Sequence, residues 1–273
     1  MFQILSLSLG LSLAASIGLA QDTSLKRLDT GDQGRGWEAV GRLDIDGRGF
    51  CTGALIAPDL VLTAAHCLFD KQSGARVDHA KIEFLAGWRN GRASAYRWVR
   101  RAVIHPDYSF DDAHDAARVR NDVALLELHH PVRNTTVTPF DTDVHPLKGD
   151  RIGVVSYAKD RSEAPSIQEM CRVLARQQGV LVMSCEIDHG SSGAPVLSFI
   201  DGAVRIVSVV SAKAEVDGAP VSLGTALEEP IALLKAELAN GNGRLDANSS
   251  SQQARRVIVG GARGDTGAKF IKP

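Results

Sequence analysis

Short β-branched runs, each closed off by glycine or proline, fill most of this chain and leave little room for helices. Ala39-Val40-Gly41-Arg42-Leu43-Asp44-Ile45 alternates in part, and Ala54-Leu55-Ile56-Ala57-Pro58 breaks at a proline turn. Compact runs follow at Leu60-Val61-Leu62-Thr63, Lys81-Ile82-Glu83-Phe84-Leu85, Trp98-Val99-Arg100-Arg101-Ala102-Val103-Ile104 and Val123-Ala124-Leu125-Leu126-Glu127-Leu128. The second half adds Arg151-Ile152-Gly153-Val154-Val155-Ser156-Tyr157, Val180-Leu181-Val182-Met183-Ser184, Ala194-Pro195-Val196-Leu197 and Val204-Arg205-Ile206-Val207-Ser208-Val209-Val210. Strands this short, separated by turn residues, predict an all-β sandwich or barrel.

One late segment departs from that pattern. From Glu229 to Leu238 the chain has a proline near its start, helix formers throughout and Asn240-Gly241 as a stop, which predicts a C-terminal helix. Residues 241–273 are rich in Gly, Ser, Asn, Gln and Arg, and a flexible tail is expected there. No internal repeat is visible.

Composition narrows the function classes. The 273 residues suffice for one larger domain or two smaller ones. A formal net charge of -1 gives no whole-molecule field to draw in nucleic acid or anionic lipid. Aromatics at 5% disfavour stacking platforms for single-stranded nucleic acid.

Residues 1–20 read as a signal peptide. Ile4 to Ala20 carries no charge, and Gly18-Leu19-Ala20 supplies small residues just before polar Gln21-Asp22-Thr23-Ser24. The stretch lacks an early Lys or Arg and is nearly long enough to span a bilayer, but its serines and small-residue exit favour cleavage. The chain has four cysteines, which allow three pairings. Local pairing, Cys51 with Cys67 and Cys171 with Cys185, is the simplest, and export makes disulfides the expected state.

Three segments carry the chemistry: Thr63-Ala64-Ala65-His66-Cys67, Asn121-Asp122-Val123-Ala124-Leu125-Leu126 and Gly190-Ser191-Ser192-Gly193-Ala194-Pro195. A histidine, an aspartate opening a buried run and a serine in a glycine turn supply a general base, its orienting group and a nucleophile. Gly190 and Gly193 permit a turn tight enough to expose the Ser192 hydroxyl and gather successive N–H groups. Other clusters are weaker. His129-His130 has no fitting third metal ligand, and Asp107, Asp111, Asp112 and Asp115 match no calcium-loop spacing. His105-Pro106-Asp107-Tyr108 reads as structural.

These blocks resemble the signatures of the chymotrypsin/trypsin-like serine peptidases, in block order over residues 37 to 240. The resemblance implies two six-stranded antiparallel β-barrels with a catalytic cleft between them, within a peptidase domain at 21–240. It implies His66, Asp122 and Ser192 as catalytic residues, with the N–H groups of Gly190 and Ser192 as oxyanion hole. It also implies a secreted or periplasmic monomer that needs no cofactor or metal. Its substrates would be polypeptides, with no nucleic acid and no stable membrane association after signal cleavage. Ser191 stands where the trypsin branch has an aspartate that pairs with a new amino terminus, and no Ile-Val-Gly-Gly-like start precedes Trp37. Gly-Ser-Ser-Gly-Ala-Pro and the cysteine pair before it are closer to the bacterial glutamyl-endopeptidase-like branch.

Residues before the nucleophile put Glu186 and His189 in view of a specificity pocket, with Ser208 and Val210 as a candidate pocket edge. Glu186 favours a basic substrate side chain and His189 an acidic one, so preference stays open. Two other readings stand beside the peptidase. One is an inactive homologue acting as a binding module. The other is a serine esterase, although there the acid usually follows the nucleophile.

Overall fold

The computed structural model describes residues 25–110, 115–142, 146–244 and 269–270. The expected signal peptide and most of the expected tail lie outside the described residues, as do Asp111 and Asp112. A short strand, β1 (Lys26–Arg27), precedes the first barrel. That barrel is built from β2 (Val40–Ile45), β3 (Gly49–Ala57), β4 (Leu60–Thr63), β5 (Ile82–Ala86), β6 (Ala95–Ile104) and β7 (Ala124–Leu128). It closes in the order β2-β3-β4-β7-β6-β5, all pairings antiparallel. A helix that the sequence reading missed, α1 (Ala116–Asn121), lies between β6 and β7. Asp115, one of the aspartates that match no calcium-loop spacing, caps it by accepting the Arg118 N–H at 2.8 Å.

After β8 (Asp141–Thr142) come the six strands of the second barrel: β9 (Arg151–Ser156), β10 (Ser166–Gln177), β11 (Val180–Met183), β12 (Pro195–Ser198), β13 (Arg205–Val216) and β14 (Ala219–Ala226). They run β10-β11-β14-β13-β12-β9, and β9 pairs again with β10 to close the ring. The expected C-terminal helix is α2 (Pro230–Ala239), packed against β6 and β7. Last comes β15 (Lys269–Phe270), antiparallel to β13 at Ala214 and Glu215. The expectation of two six-stranded barrels with a C-terminal helix holds.

Alternation along the second-barrel strands explains how the barrels pack. Val154, Val196 and Val207 join Ile152, Leu181 and Met183 inside the second barrel. Their neighbours Val155, Leu197 and Ile206 face the other way, into the cluster that holds Leu43, Leu55 and Phe84 of the first barrel. Each strand therefore serves an interior and an interface; His66 pairs with Asp122, and the Ser192 carbonyl is bound by Thr52 of the first barrel.

Candidate active site

His66 sits in a single 3-10 turn (Ala65–Leu68) that follows β4, and Cys67 beside it is bonded to Cys51 on β3. That bridge, with its Cα atoms 6.2 Å apart, ties the histidine turn to the barrel wall. An imidazole nitrogen lies within 4.8 Å of both sulfurs. Because those sulfurs form the disulfide, they are not free thiolates, and this group does not offer a metal donor set. The second bridge, Cys171–Cys185, joins β10 to the segment leading toward Ser192.

Asp122 is held from several directions. It caps the C-terminus of α1, and its carbonyl accepts from Thr225 Oγ1 on β14 at 3.2 Å. One carboxylate oxygen accepts the His66 backbone N–H at 2.8 Å. The other accepts His66 Nδ1–H at 2.7 Å and the Ser211 hydroxyl at 2.5 Å. Burial works to raise this carboxyl, but the facing His66 ring and the hydrogen bonds from His66 and Ser211 hold it below its ordinary value. A charged Asp122 fixes the ring with Nδ1 protonated and leaves Nε2 to accept a proton.

The third segment forms a tight loop between the barrels. Gly190 and Gly193 have φ of +96° and +76°, a region that a side chain makes costly. A Cβ on Gly193 would collide with Thr63 Oγ1, the Thr52 carbonyl and the Ala64 nitrogen. The loop is stitched to the first barrel by Thr52, whose N–H donates to the Ser192 carbonyl at 2.9 Å. Ser191 N–H donates to the Asp188 carbonyl and Gly193 N–H to the Val210 carbonyl. Among the described residues, the N–H groups of Gly190 and Ser192 have no backbone acceptor. Two unengaged donors thus flank a buried Ser191, while Ser192 itself is partly exposed.

Glu186 and His189 are exposed on the segment entering this loop. Ser208 and Val210 are not at an exposed edge. Ser208 is fully buried and donates to the Thr225 carbonyl at 2.8 Å, and Val210 is 1% exposed inside the second barrel. Both residues of the candidate pocket edge are therefore buried. The pairing of β13 with β14 shifts register between Val210 and Ala212, leaving Ser211 at a bulge. A bulge re-aims a side chain, and here it sends Ser211 to Asp122. Beyond it, Lys213 reaches back to Asp188 at 2.8 Å. The Lys213 and His189 hydrogen bonds hold Asp188 below its ordinary value. His129 and His130 lie outside this site, their rings 6.5 Å apart at the end of β7.

Comparison with known proteins agrees with this architecture. The family described as trypsin-like peptidase domain matches residues 51–207. Serine protease 23 of Homo sapiens is 29% identical over 163 residues, covering 54% of this chain and 42% of that protein. Glutamyl endopeptidase of Bacillus licheniformis is 26% identical over 149 residues, covering 54% of this chain and 45% of that one. The chain thus spans less than half the length of these curated relatives. A solved structure of a Glu endopeptidase in complex with MPD superposes with a TM-score of 0.64 at 18% identity, covering 78% of this chain and 97% of that one.

Proposed function

The chain belongs to the trypsin-like peptidase domain family, and from that premise we propose that it is a secreted or periplasmic serine endopeptidase. In this reading the Ser192 hydroxyl attacks the scissile carbonyl while His66 Nε2 takes its proton. His66 returns that proton to the leaving amine as the acyl-enzyme forms. Water, activated by the same histidine, then releases the acid product. Asp122 orients the ring and stabilises the imidazolium, and the Gly190 and Ser192 N–H groups receive the oxyanion.

The observation that carries this reading is the double hold of Asp122 on His66, through backbone N–H and Nδ1, in a buried setting. A carboxylate is costly to bury unless its bonds are filled, and here three donors meet it. Polypeptides are the proposed substrates. The decisive experiment incubates the protein with a peptide library beside Ser192→Ala. Cleavage by the parent alone is expected. Equal cleavage by both would move the activity elsewhere, and no cleavage by either would favour an inactive, peptide-binding homologue.

A further inference from the structure

Behind the Ser192 loop lies a guanidinium that the proposed chemistry leaves unused. Arg161 closes a single 3-10 turn (Lys159–Arg161) after β9 and is only 9% exposed. Its Nη1 donates to the Ser156 carbonyl at 2.9 Å and the Ser156 hydroxyl at 3.2 Å. Its Nη2 reaches the Ser191 hydroxyl at 3.5 Å. That hydroxyl also meets Ser156 Oγ at 3.1 Å and accepts the Asp188 N–H at 3.3 Å.

The charge has little compensation. Among the described residues its one ion-pair partner is Asp160, 3.8 Å away on a side chain that is 76% exposed. Burial lowers the guanidinium from its ordinary value, and the charges of Asp160, Asp188 and Glu186 oppose that. A buried cation without a close carboxylate is costly to keep, whereas a hydrogen-bonded polar network rigidifies what it holds. What this one holds is Ser191, the residue between the two unengaged N–H groups.

We propose that Arg161 is a positioning residue that fixes the Gly190–Ser192 loop so that both N–H groups serve one oxyanion. The inference rests on the peptidase reading above. Two anchors on the Arg161 turn act together. Through Ser191, the guanidinium holds the centre of the loop. The Lys159 N–H, on the same turn, donates to the His189 carbonyl at 2.7 Å. In a trans peptide the C=O and N–H point in opposite directions. Anchoring the His189 carbonyl to the turn therefore aims the Gly190 N–H away from it. The guanidinium also places positive charge behind amides on which negative charge would develop.

The test compares full-length Arg161→Met, Arg161→Lys and Ser191→Ala. Arg161→Met should lower kcat about 100-fold, with KM within about threefold of the parent. Arg161→Lys should recover part of that loss, and adding Ser191→Ala to Arg161→Met should cost little more. Amide hydrogen exchange over residues 186–193 should accelerate about tenfold in Arg161→Met, while peptides from β2 to β7 exchange as in the parent. Exchange reads the loop whether or not the protein hydrolyses anything. A parent that cleaves nothing, with a loop that still loosens on substitution, would sink the peptidase reading and keep the positioning role. Parental kcat in an active Arg161→Met, or unchanged exchange over 186–193, would overturn the proposal. So would acceleration spread evenly over both barrels in all three variants.

Discussion

Thr52 Oγ1 donates to the Gly190 carbonyl at 2.8 Å, joining residues 138 positions apart in the chain. The same oxygen accepts the Tyr157 N–H at 3.1 Å, so one hydroxyl from the first barrel satisfies two backbone groups of the second. Thr52→Val keeps the shape and orphans both. Each buried orphan costs about 1–3 kcal/mol, so unfolding free energy should fall by about 2–6 kcal/mol. Urea denaturation measures this, and Thr52→Ser should restore most of the loss.

Asp122→Asn should leave the fold intact and lower kcat about 10^4-fold, because an amide facing Nδ1 supports the wrong tautomer. Ser211→Ala removes one hydrogen bond to a charged group, and should cost about 10- to 100-fold in kcat. Steady-state kinetics on one peptide decides both. Equal losses in the two variants would contradict the separate parts given to Asp122, which orients His66, and to Ser211, which only supports Asp122.

Gly193→Ala meets backbone as well as side chain, and its φ of +76° adds strain. Neither the Thr52 carbonyl nor the Ala64 nitrogen can yield without moving a barrel strand. Activity should fall below about 1% of the parent, through misalignment of the Gly190 and Ser192 N–H groups proposed to receive the oxyanion. A fluorophosphonate probe that still labels the variant at the parental rate would contradict this.

Stability should respond to acid in two stages. Burial holds His79 and His105 below the ordinary histidine value, so the unfolded chain binds the extra protons and stability declines as pH drops below about 6.5. Asp122 is depressed in the folded state by its hydrogen-bonded pairing with His66, and Glu127 by its bonds to Arg101 and Arg100. Their contribution is present above about pH 4 and is lost as pH falls through their lower folded values. Melting temperature recorded from pH 8 to pH 3 should therefore slope gently first and steeply last.

Replacing Cys51 and Cys67 by serine should destabilise the protein by about 3 kcal/mol, as expected for opening a loop of this size. Because Cys67 adjoins His66, the same change should lower kcat. The matching change at Cys171 and Cys185 should cost similar stability. Thermal unfolding beside kinetics separates the two effects.

The sequence made an all-β fold legible through its β-branched runs, and the helix at Pro230–Ala239 and the simplest cysteine pairings through local spacing, while the two barrels were implied by the family resemblance alone. It also brought His66 and Asp122 into one site, since a carboxylate opening an apolar run needs a partner. Ser211 escaped because alternation assumes an unbroken strand, and the bulge in β13 breaks it. Arg161 escaped because an arginine in the polar run Lys159-Asp160-Arg161-Ser162-Glu163 reads as surface, while its burial depends on a turn that only the folded barrel supplies. Lys213 and Asp188 are 25 residues apart, and nothing local announces their pairing.

The pairing of β15 with β13 has a consequence for any extended peptide that approaches this edge. Going from Lys269 opposite Glu215 to Phe270 opposite Ala214, the segment advances in the direction of Ser211. Because it belongs to the same chain, its occupancy is set by the connecting residues and does not weaken on dilution. An incoming strand that seeks the same hydrogen-bonding groups competes with a neighbour of fixed local concentration.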